Sequence, residues 1–209
     1  MRFRRKSVDA PPEPAVEREE PVAMEAAGLS GPYDAADVAD DDVDRVDLGS
    51  LLITPEPDRE LRLQVDEASQ VVQSVLLAGP DGALELRAFA APRHGELWPE
   101  HRQHIAAETA RHGGTATERE GRFGTELVCQ RPLRRPDGKV GLQPSRVVGV
   151  DGPRWFLRAT FLGRPAVDPD DAADWEETLA HVVVNRGSHA MPPGDALPIT
   201  LPPEVRRPS

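Results

Sequence analysis

Gly149-Val150-Asp151-Gly152-Pro153-Arg154-Trp155-Phe156-Leu157-Arg158-Ala159-Thr160-Phe161-Leu162-Gly163 is the stretch whose reading decides the fold. Asp151-Gly152-Pro153 is turn chemistry, because Gly and Pro supply backbone angles that other residues resist. The residues that follow are aromatic or β-prone, and they alternate. Trp155, Leu157, Ala159 and Phe161 fall on one face; Arg154, Phe156, Arg158 and Thr160 fall on the other. The spacing predicts a core strand that sets two guanidinium groups around an aromatic ring.

Upstream of the turn, Arg146–Val150 reads as the partner strand. Leu61–Val65 alternates as a further strand. Val71–Leu77 and Ala83–Ala90 read as a hairpin joined at Gly79-Pro80-Asp81-Gly82. Thr115–Glu120 reads as an edge strand and Phe123–Gln130 as its neighbour, with a turn at Pro136-Asp137-Gly138. Between Pro92 and Arg111 the period changes to four, with Leu97, His101, Ile105 and Thr109 in register, which predicts an amphipathic helix stopped by His112-Gly113-Gly114. Asp168 is an N-cap with Pro169 at the first helical position, and Ala172, Trp175, Leu179, Val182 and Arg186 continue a second helix that Gly187 ends. The expected class is α+β, a mostly antiparallel sheet with two amphipathic helices packed on it. Its element order is Mog1/PsbP-like by analogy, which carries no function.

The acidity is unevenly placed. The formal net charge is -11. Between Ser7 and Leu48 there are 13 Asp and Glu against Arg18 and Arg45, whereas residues 1–6 carry Arg2, Arg4, Arg5 and Lys6. The expected organisation is a disordered acidic segment over 1–46, one α+β domain over 47–189 and a Pro-rich extended tail over 190–209. Asp40-Asp41-Asp42-Val43-Asp44 lacks the Gly and Glu that a calcium loop requires, so it reads as solvated linker. The weakly acidic core argues against specific nucleic-acid binding. Cys129 is the only cysteine, so no intrachain disulfide forms and a reducing cytoplasm is expected. No apolar run is long enough for a transmembrane helix.

Gly31-Pro32-Tyr33-Asp34, Arg45–Gly49, Ala88–Pro92, Gly149–Arg158, Val182–Gly187 and Met191-Pro192-Pro193 together resemble the actinobacterial domain-of-unknown-function family numbered 3710. Tyr33 stands where the family pattern has Trp, and Asn185 where it has an apolar residue. The resemblance implies an intracellular actinobacterial protein with a nucleotide or housekeeping context. It brings no activity, cofactor or catalytic residue.

The candidate chemistry is sparse. His101 and His104 share a helix face, but a zinc site wants a third ligand and no His-Glu-x-x-His pattern is present, so they read as a polar face. Cys129 sits in a strand, where a buried thiol is inert. There is no Gly-x-Ser-x-Gly elbow, Walker loop or Gly-x-Gly-x-x-Gly. Asp170-Asp171 and Glu176-Glu177 are explained by capping and solvation, and Arg131, Arg134 and Arg135 flank a solvated hairpin end. No catalytic residue, metal ligand or cofactor is assigned. Arg154, Arg158 and Phe156 form the one candidate ligand site, an anion clamp or base-stacking face if the face is open; covered by a helix, the arginines would meet carboxylates such as Glu176 or Glu177. The leading reading is a non-enzymatic cytoplasmic protein-binding or adaptor module with an unidentified protein partner. The alternative is a sensor or enzyme acting on a phosphorylated small molecule or nucleotide through that arginine-bearing face.

Overall fold

The computed structural model describes residues 31–38, 41–134 and 138–201. The basic start, the acidic run up to residue 30, residues 135–137 of the expected turn and the end from residue 202 lie outside them. In chain order the strands are β1 (Tyr33–Asp34), β2 (Val46–Asp47), β3 (Leu51–Ile53), β4 (Glu60–Val65), β5 (Val72–Ala78) and β6 (Gly82–Ala90). Helix α1 (Trp98–Arg111) follows, then β7 (Thr115–Gly121), β8 (Gly124–Arg134), β9 (Val140–Gly152) and β10 (Trp155–Gly163). Helix α2 (Pro169–Ala180) and β11 (Val183–Val184) complete the order. The protein is an α+β fold dominated by antiparallel pairing.

The main sheet has seven strands in the order β4-β5-β6-β10-β9-β8-β7. All of its pairings are antiparallel. β10 lies at its centre, and the alternation of its side chains builds two cores. Trp155, Leu157, Ala159 and Phe161 join Trp175 and Leu179 of α2 and Leu51, Ile53 and Val184 of the small sheet. Phe156 joins Phe89, Leu127 and Val147 with Trp98 of α1 on the opposite face. Each fully buried large side chain contributes roughly 1.5–3 kcal/mol. An exposed ion pair such as Arg62–Glu60 is screened by water and adds little, so the two cores decide the fold.

The turn sequence positions α1. Trp98 stacks over Gly149, where an added Cβ would lie 2.2 Å from the indole. On the other face Trp155 packs over Gly152 in the same way, and its indole N–H donates to Asp34 Oδ2 at 2.7 Å. The two glycines are therefore spaces for two tryptophans.

Several boundaries differ from the sequence reading. Tyr33–Asp34, inside the expected acidic tail, pairs in parallel with β11. Val183–Val184, expected in the second helix, is strand: α2 ends at Ala180, with His181 as its C-cap. Successive β-branched valines prefer the pleated backbone, and here they close a second sheet of order β1-β11-β3-β2. Residues 92–97 precede α1 rather than belonging to it. Leu197 is buried, and Ala196 and Ile199 bridge to Phe89 and Gly49, so the Pro-rich segment is packed as far as it is described.

Beyond Gln130, β8 has no β7 beside it, and before Ser145, β9 has no β10 beside it. Arg131–Arg134 and Val140–Pro144 therefore project as a two-stranded ribbon. Among the described residues no helix is long and apolar enough to cross a membrane.

Candidate functional site

Phe156 and Arg158 stay on one face of β10, as their spacing requires. Their cross-strand partners on β6 are Phe89 and Arg87. The face is thus a ladder of two aromatic rings followed by two guanidinium groups. Phe156 lies beneath α1, its ring 4.8 Å from His101 and 6.1 Å from Trp98. It is fully buried and belongs to the core.

Arg158 is partly buried. Its guanidinium lies 5.7 Å from the Phe89 ring centre, and that of Arg87 lies 5.3 Å from the same ring. Among the described residues neither arginine forms an ion pair, and Arg87 Nε is buried with no hydrogen-bond partner. Burial holds the Arg158 pKa below the ordinary arginine value; Glu85 opposes that shift, while Arg87 adds to it by repulsion. Like charges placed opposite each other across strands are destabilising. Glu85 and Glu108 offset that repulsion only through space, with no direct ion pair to either arginine among the described residues.

Arg154 does not share this face. It lies in the turn before β10 with φ at 65°, so the strand alternation does not reach it. Its side chain is exposed, and its carbonyl accepts from Ala91 N at 2.9 Å and Arg186 Nε at 3.1 Å. The carboxylates considered for these arginines are elsewhere. Glu176 pairs with Arg146 at 2.5 Å, and Glu177 with Arg122 at 2.8 Å.

Arg158 opens into a groove of about 290 Å³ between α1 and the sheet. Glu85 and Thr160 stand opposite each other in its wall, and Arg131 of β8 lies at its far side. Glu108 of α1 reaches Arg131 only at 3.9 Å. Ile105 and Val147 supply an apolar part of the lining. Cys129 borders the same groove but is buried, and burial pushes its thiol pKa up. His101 titrates below its ordinary value, chiefly through burial and then through Arg158 and His104. Among the described residues no three His, Cys, Asp or Glu side chains gather as a metal site.

A wider cleft beside α2 is lined by acidic groups. Its two arginines are occupied: Arg45 pairs with Asp41 at 2.5 Å, and Arg59 pairs with Glu56 while lying 4.1 Å from the Trp175 ring. Among the described residues that cleft offers no unpaired arginine, whereas the groove at Arg158 does.

The profile of a family described as a protein of unknown function, DUF3710, matches residues 31–208. The chain belongs to the DUF3710 family. The match begins at Gly31, which packs against the Ala180 carbonyl at the end of α2, so the DUF3710 unit includes β1 and the segment leading to β2. No curated protein and no solved structure matches the chain.

Arg87 escaped the sequence reading because strand pairing, not local spacing, brings it to Arg158. The signal available was Arg87 two residues before Phe89 in an alternating strand, the mirror of Phe156 two residues before Arg158.

Proposed function

We propose that this DUF3710 protein is a non-enzymatic binding module whose groove beside α1 takes a small anionic metabolite. The observation that carries this reading is the Arg87–Arg158 cross-strand pair, with no ion-pair partner for either residue among the described residues and with Arg158 lining the groove. Phosphate and carboxylate groups match the planar guanidinium fork. A groove of about 290 Å³ suits a small metabolite, at the lower end of small-molecule sites. A phosphorylated compound or nucleotide bound there would make the protein a sensor. The single unpaired cysteine supports a reducing, cytoplasmic setting. The test is NMR titration with inorganic phosphate, ethyl phosphate and nucleoside monophosphates. Saturable shifts at residues around Arg158, lost in Arg158→Ala, are expected; no shift with any of them at millimolar concentration refutes the reading.

A second reading, a protein-docking adaptor, is favoured by the projecting ribbon. Val140 and Leu142 are 65% and 62% exposed there, on the outer part of a two-stranded arm. Exposed apolar groups on a projecting arm suit a partner protein better than solvent. Retention of a specific partner by the full chain, lost on Leu142→Asp with the fold intact, is its expected signature.

A further inference from the structure

The groove at Arg158 is not uniformly cationic. Glu85 and Glu108 line it together with Arg158 and Arg131. Glu85 has no ion-pair partner among the described residues, and Glu108 meets Arg131 only at 3.9 Å. All three neighbours act on Arg158 through space, Glu85 and Glu108 with one sign and Arg131 with the other. A ligand that is only an anion would satisfy Arg158 while facing two carboxylates that repel it. A ligand carrying a second, positive group would meet both.

The arrangement of charges follows from the elements. Glu85 precedes Arg87 by two residues on β6, so it lies on the same sheet face, opposite Thr160. Glu108 comes from the last turn of α1, above that face. One carboxylate therefore belongs to the sheet and the other to the helix, with the groove between them. An ammonium group has three donors and no fixed plane, which suits two carboxylates reaching it from different elements.

Resting on the anion-binding reading above, we propose that the groove selects a zwitterionic small molecule, its phosphate or carboxylate held by Arg158 and its ammonium group held by Glu85 and Glu108. Amino acids and amino-alcohol phosphates are the chemical class that fits. Thr160 and Ser145 place hydroxyl groups in the same lining, where they serve the remaining polar atoms of such a ligand.

The experiment compares two matched probes on the full chain, phosphoethanolamine and ethyl phosphate, which differ by the ammonium group. Dissociation constants come from NMR titration. Phosphoethanolamine is expected to bind at least about tenfold more tightly. Glu85→Gln with Glu108→Gln should reduce that preference to under about threefold while leaving ethyl phosphate bound, which also reports that the variant is folded. Equal binding of the two probes overturns the zwitterion proposal but leaves the anion site standing. Failure of both probes to bind overturns both.

Discussion

Asp151 caps a helix that begins 53 residues before it: its carboxylate accepts from Trp98 N at 3.2 Å. It also accepts from Leu97 N at 2.8 Å, because Leu97 occupies the N-cap position with no acceptor of its own. The turn that starts β10 and the start of α1 are thereby one structural unit. Asp151→Ala is expected to cost about 1–2 kcal/mol, the usual loss for an N-cap. Amide exchange along α1 should accelerate more than exchange along α2, which keeps its own cap at Asp168. Asp151→Asn, which retains an acceptor, should recover most of the stability.

Gly149→Ala should destabilise by about 1–3 kcal/mol through overpacking. The new methyl would meet the Trp98 ring, not backbone free to move aside. Urea unfolding measures the loss. Combining it with Trp98→Leu should give a double variant less destabilised than the two losses added, because the steric conflict disappears.

Arg146 is buried between Glu126 and Glu176 and stacks 4.2 Å from the Phe161 ring. Glu126→Ala strands part of that charge and is expected to cost about 3–5 kcal/mol. Replacing both residues, Arg146→Met with Glu126→Leu, should cost clearly less. Equilibrium unfolding of the two variants decides between a stabilising pair and a charge that only needs its partner.

His101 gives the protein a pH-dependent term with a definite sign. It lies against Phe89 and Phe156 with Arg158, His104, Glu100 and Asp151 around it, and its native pKa is below the ordinary 6.5. As pH falls through that ordinary value, the unfolded chain takes up the proton first. The stability carried by neutral His101 is therefore complete above about 6.5 and declines as pH falls toward the lowered native value. His101→Gln should flatten this slope in unfolding measured across that window.

Cys129 is buried and its thiol pKa is raised, so iodoacetamide should label it more slowly than a free thiol in the native protein. Labelling should become fast in urea. Rapid native labelling would show that the groove side of β8 opens to solvent.

The legibility of the chain followed the range of the interactions. β10 was readable because alternation is local, and α2 began where Asp168 and Pro169 signalled it, with Asp168 accepting from Asp170 N at 3.0 Å. The end of α2 was not readable. Val182 continues the helical period, but Val183 and Val184 pair with Leu52 and Leu51, a contact between distant segments. The same holds for the candidate site. Phe156 and Arg158 are adjacent in the pattern, whereas Arg87 arrives by register. Arg154 looked equivalent to Arg158 only because a positive φ in the turn leaves no trace in spacing.

Pro132 and Pro144 lie in the ribbon of β8 and β9, each just past the residue where its outer neighbour ends, Gln130 for β7 and Ser145 for β10. Proline offers no backbone N–H, so a foreign strand laid along either open edge would find a gap in the donor row near its start. The arm can thus extend beyond the sheet without serving as a template for polymerisation. Each open edge is therefore a poorer site for strand addition than an unbroken one.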